Sequence, residues 1–277
     1  MSKSRNTLQK QQKKQAKRLA RAARTKKILT VSLISVGSVA LICAIVFLSI
    51  YLYQHDTTRP VNQFELTQLD DGTYEVNGIK EGYTPKGKIS VPSEIDGMVI
   101  TRIGLSAFEN QSEITEVSLP DTITYIGDCA FQSCTSLQSI VFPKNLTGIG
   151  NLAFQGCSSL ISINFTGQSL KTIGDSAFNT CVKLEAVTLP EGLESIGSNS
   201  FSDCSAIRSF KTPSTLTTIG RFALKGCVGL NEAKDSLVLS SSIISVGEFA
   251  FSGIYRSSIS IPEDFSVTLS GIHGIID

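Results

Sequence analysis

The segments CTSLQSIVFPKNLTGIGNLAFQGC at residues 134–157 and CVKLEAVTLPEGLESIGSNSFSDC at residues 181–204 share one template. It reads Cys-x-x-Leu-x-x-Ile/Val-x-Phe/Leu-Pro-x-x-Leu-x-x-Ile-Gly-x-x-Ala/Ser-Phe-x-x-Cys. Worked outward in both directions, the Ile-Gly pair recurs at Ile103-Gly104, Ile126-Gly127, Ile149-Gly150, Ile173-Gly174, Ile196-Gly197 and Ile219-Gly220, with a Val-Gly variant at Val246-Gly247. Four residues after each Ile or Val stands a small-plus-large pair: Ala107-Phe108, Ala130-Phe131, Ala153-Phe154, Ala177-Phe178, Ser200-Phe201, Ala223-Leu224 and Ala250-Phe251. A Cys column follows at Cys134, Cys157, Cys181, Cys204 and Cys227, then an aliphatic column, then alternating pairs such as Val117/Leu119, Ile140/Phe142, Ile163/Phe165 and Val187/Leu189.

A period of about 23 residues with about eight apolar positions cannot close a core on its own. Those side chains leave water only if equivalent residues of successive coils stack, which makes a solenoid. The alternating pairs have the period of a strand and are rich in β-branched residues. Stacked at ~4.8 Å, they are expected to form a parallel sheet roughly 30 Å long over seven coils. Pro after the strand ends each ladder segment, Gly after Ile permits a tight corner, and Ala-Phe on a short helical or 3-10 turn drives a ring inward.

These columns resemble the BspA-like class of leucine-rich repeats over about residues 98–254. The segment before them, residues 63–97, is similar to the β lead-in that opens such arrays, with Asp70-Asp71-Gly72 as a hairpin turn. Unlike many leucine-rich repeats, the chain has no Asn column at the corner, where Thr122, Asn145, Gln168, Gly192 and Thr215 stand. Corner hydrogen bonds must therefore be made differently. After Leu230 the pattern weakens: Ala233 takes the strand position, four residues are inserted, and residues 255–277 read as a C-terminal cap or tail.

The charges are segregated along the chain. Of the 25 Lys and Arg, eleven lie in residues 1–27, which contain no acid, leaving fourteen against all 24 acids in residues 54–277. Between the two blocks, residues 28–53 read ILTVSLISVGSVALICAIVFLSIYLY without a charge. As a helix this run spans roughly 39 Å, more than a ~30 Å hydrocarbon core. Lys26 and Lys27 mark one interface and Tyr51 and Tyr53 the other. The expectation is a single-pass signal anchor in the plasma membrane of a bacterial envelope, with residues 1–27 cytoplasmic, 54–62 a linker and the repeats extracellular. A cleaved signal peptide would need a shorter apolar region and small residues before the cut. Attraction to anionic lipid headgroups explains the basic arm, and no nucleic-acid role is assigned. Cys43 is read as a small lipid-facing or packing residue.

No catalytic, cofactor or metal constellation stands out. Only His55 and His273 are available as imidazole bases or ligands, too few for a His-based triad or zinc site in the repeats. The Cys column suits a buried thiol ladder better than disulfides, because the Cβ vectors of stacked residues run parallel. Cys129 falls outside that column and is the thiol whose reactivity merits a test. The remaining candidate is the outward face of the main strands: Glu116/Ser118, Ser139/Val141, Ser162/Asn164, Ala186/Thr188, Ser209/Lys211 and Glu232/Lys234. Small, mostly hydroxylated side chains have a low ordering cost at an interface. The resemblance implies surface adhesion by binding extracellular proteins or glycans. An assembly factor for envelope proteins is the alternative, and an enzyme or inhibitor a more remote one. Sequons at Asn110, Asn145 and Asn164 are expected to stay unglycosylated in a bacterial envelope.

Overall fold

The computed structural model describes residues 63–267 and 273–277. The basic arm, the apolar run 28–53 and the linker up to residue 62 lie outside the described residues, and the expected membrane span with them. Among the described residues no helix is long and apolar enough to cross a membrane.

The described chain is a β-solenoid of about eight turns of about 24 residues. It opens with β1 (Phe64–Gln68) antiparallel to β2 (Tyr74–Ile79). The turn between them uses Gly72 at φ +84°, and the Asp71 carboxylate accepts the Thr73 amide at 2.9 Å. Next come β3 (Gly87–Ser90), β4 (Glu94–Ile95) and β5 (Met98–Ile103). Asp96 and Gly97, both at positive φ, turn β4 back onto β5, as a two-residue hairpin requires.

From β5 onward each coil contributes two strand segments. One is the residue before Ile or Val and that residue itself: β7 (Tyr125–Ile126), β9 (Gly148–Ile149), β11 (Thr172–Ile173), β13 (Ser195–Ile196), β15 (Thr218–Ile219) and β17 (Ser245–Val246). With β1, β2, β4 and β5 these build a ten-stranded sheet. The other segment is the alternating pair: β6 (Ile114–Ser118), β8 (Ser139–Val141), β10 (Ser162–Asn164), β12 (Ala186–Thr188), β14 (Phe210–Lys211), β16 (Leu237–Val238) and β18 (Ile259–Ser260). All inter-coil pairs in both ladders are parallel.

This corrects the expected sheet. The alternating-pair ladder is divided into β3-β6-β8, β10-β12 and β14-β16-β18, whereas the Ile-Gly corner carries the unbroken one. The glycines explain the continuity. A Cβ on Gly174 would lie 2.6 Å from the Gly150 carbonyl carbon and 2.7 Å from the Asn151 nitrogen, so only glycine lets successive backbones approach closely there.

The Ala-Phe turn forms a third line of inter-coil bonds. Phe108, Phe131, Phe154 and Phe178 each donate their amide to the residue before Phe one coil further on, at 2.7 Å. Two residues before and after each of these rings the backbone is left-handed, as at Ser106 and Asn110 or Ser176 and Thr180. The rings then stack along the axis: Phe108, Phe131, Phe154, Phe178 and Phe201 follow one another at 5.0, 5.1, 5.1 and 5.3 Å between centroids, with planes within 11° of parallel. The apolar columns merge into one continuous core from Phe64 to Ile259.

The insertion after Leu230 resolves differently from the sequence reading. A 3-10 turn at Val228–Glu232 absorbs the extra residues, and Leu237, fully buried, takes the strand position in register with Phe210. Ala233 is therefore not the strand residue. Likewise register sets Ser236 and Val238, not Glu232 and Lys234, in line with Ser209 and Lys211, and because Ser236 is buried the outward column that begins at Glu116 stops at Ser209.

Candidate functional site

The predicted outward residues lie together on the solvent side of the alternating-pair ladder. Each coil offers two of them around one inward apolar residue. Register pairs Glu116 with Ser139 and Ser118 with Val141, then Ser162 with Ala186 and Asn164 with Thr188. Ala186 bridges to Ser209, and Lys211 pairs with Val238. Glu116 and Ser118 are half-buried, and the other eight are exposed. Val141 is the exposed aliphatic among them, with Ile161 beside the strip.

Charge at the edges of this strip is organised coil to coil. Lys88 reaches Glu116 at 2.6 Å, Lys144 reaches Asp121 at 3.5 Å, and Arg208 meets Glu232. The Asp121 carboxylate also accepts the Lys144 amide, which lowers its pKa below the ordinary carboxylate value. These pairs are solvent-exposed, so screening by water leaves them little weight in stability.

A second polar surface, not foreseen from sequence, lies over the ten-stranded sheet. Thr172, Ser195 and Thr218 form one bank of a shallow open trough, and Asn151, Asp175 and Ser198 the other. The latter bank is a side-chain hydrogen-bond ladder. Asp128 Oδ1 accepts the Asn151 amide at 2.8 Å, Asn151 Oδ1 the Asp175 amide at 2.8 Å, and Asp175 Oδ1 the Ser198 amide at 2.6 Å. At the corner without an Asn column the bonds are made otherwise: Asn145 Nδ2 donates to the Asp121 carbonyl at 2.8 Å, and Thr215 Oγ1 accepts the Gly192 amide at 2.9 Å and donates to the Leu193 carbonyl at 2.8 Å. The signal for the Asp128–Asn151–Asp175 ladder was the polar residue directly after Ile-Gly from Asp128 to Ser198.

The Cys column is a ladder of free, buried thiols. Each thiol donates to the carbonyl of a Phe in the preceding coil: Cys134 to Phe108, Cys157 to Phe131, Cys181 to Phe154, Cys204 to Phe178 and Cys227 to Phe201, at 3.0 to 3.3 Å. Burial pushes the Cys134 thiol up to about 12 and raises Cys157, Cys181 and Cys227 well above the ordinary thiol value. Cys129 occupies the left-handed position before Ala130 at φ +56°. Partial burial, then the Glu109 and Asp128 carboxylates, raise its pKa too, which works against reactivity at neutral pH. His273 is exposed and tilted against the Phe249 ring at 5.5 Å. His55 lies outside the described residues.

Two ladders, stacked aromatic turns and a thiol column define a leucine-rich-repeat solenoid. The BspA type leucine rich repeat region matches residues 101–231 in six copies. A leucine-rich-repeat protein from T. pallidum is 30% identical, with 75% of this chain and 92% of that chain covered and a TM-score of 0.63. One from Bacteroides ovatus is 27% identical over 75% of this chain and 60% of that chain, with a TM-score of 0.52. The pneumococcal vaccine antigen PcpA shares the fold at 18% identity over 75% of this chain and 70% of that chain, with a TM-score of 0.50. A search of curated proteins returned no match. The chain belongs to the BspA-type leucine-rich-repeat family. Solenoids of this kind are interaction scaffolds, because stacking produces an extended surface whose outward residues vary without cost to the core.

Proposed function

We infer that the protein is a membrane-anchored scaffold that displays its repeats outside the cell and binds proteins or glycans through the outward face of the alternating-pair ladder. The observation that carries this is the alignment of Ser139, Ser162, Asn164, Thr188 and Ser209 into two exposed columns over a fully buried core. Substitutions in those columns leave the stack intact, which is what a variable binding surface requires. Anchoring and orientation rest on the uncharged run at 28–53 and the positive block before it. The function is binding without catalysis, and adhesion follows from presenting such a face at a surface.

Two measurements test it. Protease added to intact cells should remove the epitopes of residues 63–277 while an N-terminal tag stays protected. Capture of a surface partner should then fall when Glu116, Ser139, Asn164, Thr188 and Lys211 are replaced together by Ala. Protection of the repeats from protease would defeat the topology, and undiminished capture by the five-residue variant would defeat the face.

A further inference from the structure

We propose that the trough over the ten-stranded sheet is a second binding site, separate from the alternating-pair ladder, and that it takes a short neutral glycan laid along the stack.

The trough encloses about 390 Å³, near the lower end of the range for small-ligand sites. Its polar banks stand on β11, β13 and β15 and on the residues that follow their glycines. What sets it apart is hydrogen-bonding capacity that the fold leaves unused. One residue earlier in the coil, the hydroxyls of Thr124, Thr147 and Thr217 each donate to a carbonyl of the preceding coil, at 3.2, 2.8 and 3.0 Å. The hydroxyls of Thr172, Ser195 and Thr218 have no such bond, and neither do Ser198 Oγ, Asn151 Nδ2 and Asp175 Oδ2, among the described residues. Asn151 and Asp175 are nonetheless held in place, because the Oδ1 of each accepts an amide of the next coil. Fixed side chains with unused donors and acceptors are what a preorganised polar site needs.

The lining selects the occupant. Ile173 and Ile196 in the floor are buried, so an apolar ligand finds no partner. β11, β13 and β15 pair on both sides, and the amides of Gly174, Gly197 and Gly220 are bonded to the preceding coil, so an extended peptide cannot add as a strand. One carboxylate and no base line the trough, which disfavours an anion. Among the described residues no group of three His, Cys, Asp or Glu could hold a metal ion. A neutral polyhydroxyl chain meets none of these obstacles. Each sugar hydroxyl both donates and accepts, so it can use Asp175 and Asn151 together with the neighbouring Ser and Thr.

Shape agrees with that chemistry. A Cβ on Gly197 or Gly220 would strike the preceding coil's backbone at 2.6 and 2.4 Å, so the floor is bare main chain against which a flat ring can lie. The coil step of ~4.8 Å is close to the length of one pyranose, and three coils therefore match about three sugar units. At the Thr172 end the Tyr125 ring lies beside Gly148, its Cε2 3.0 Å from where a Cβ would stand. Arg102 backs that ring at 5.2 Å from its centroid, leaving an aromatic edge for the C–H groups of the terminal sugar.

The test is equilibrium binding of cellotriose, maltotriose and chitotriose by the full chain in lipid nanodiscs, with sialyllactose as the acidic comparison. At least one neutral trisaccharide should bind with a millimolar or lower Kd, and sialyllactose should bind more weakly. Asp175→Asn keeps the acceptor for the Ser198 amide, and Thr218→Val removes a hydroxyl that bonds nothing in the described fold, so the stack stays intact in both. Together they should weaken binding by about tenfold or more. Absence of binding by all three sugars, binding unchanged in the double variant, or tighter binding of sialyllactose overturns the proposal. The five-residue alanine variant of the alternating-pair ladder should bind the sugar as the wild type does. A loss there would move the sugar to that face, overturning this site while leaving the scaffold function standing.

Discussion

The Sγ of Cys157 lies 3.2 Å from the carbonyl oxygen of Phe131 in the preceding coil, and the same contact repeats down the column. A thiol there is small enough for the turn, apolar enough for the core, and able to satisfy a carbonyl that the turn leaves with a free lone pair. The relationship also predicts how the stack responds to alkali. An unfolded thiol ionises near 9, whereas Cys134 in the fold ionises near 12. Below pH 9 both states hold the proton and pH has no effect through this group. Above it the unfolded state binds fewer protons, so through Cys134 stability falls by about 1.4 kcal/mol per pH unit until the folded value is reached. Denaturation at pH 8 and pH 10.5 should show this loss, and Cys134→Ala should reduce its slope. An unchanged slope in the variant would exclude the thiol as its source.

Phe178 is fully buried between Phe154 and Phe201. Phe178→Ala should cost about 3–5 kcal/mol, more than is lost by trimming a side chain at the end of the array. Because each coil contacts mainly its neighbours, amide exchange should accelerate first in coils adjoining the gap. Uniform acceleration from end to end would show the array to be a single cooperative unit instead.

Two glycines separate close packing from backbone strain. A Cβ on Gly197 would sit 2.6 Å from the Asp175 nitrogen and the Gly174 carbonyl carbon, while Gly72 has open space but a φ of +84°. Gly197→Ala is predicted to destabilise by about 1–3 kcal/mol or more through forced separation of coils. Gly72→Ala should cost only about 1–2 kcal/mol for the left-handed residue. Urea midpoints at matched m-values would reveal the order.

Ser200 stands in the Ala column, fully buried, and its hydroxyl has no hydrogen-bond partner among the described residues. Ser200→Ala restores the column residue and removes a buried unsatisfied group, so it should stabilise by about 1 kcal/mol. A lower melting temperature in the variant would mean that the hydroxyl is satisfied in solution.

Most of the candidate face was legible in the sequence because strand residues alternate sides: once Val117, Ile140, Ile163 and Val187 point inward, Glu116, Ser139, Ser162 and Ala186 must point out. Glu232 and Lys234 were misplaced because an insertion shifts register without a local mark. Only the pairing of Phe210 with Leu237 shows where the extra residues went.

By itself, the spacing of Ile-Gly, Ala-Phe and Cys determined that the chain stacks and which side chains the stack hides, since a periodic apolar pattern has one way to leave water. Tertiary structure alone decided that the Ile-Gly corner, rather than the strand, carries the unbroken ladder, and that Asp128, Asn151 and Asp175 bond coil to coil beside it. Burial is a property of each position along the chain, but a hydrogen bond between coils depends on how closely two backbones approach, and that distance exists only in the folded stack.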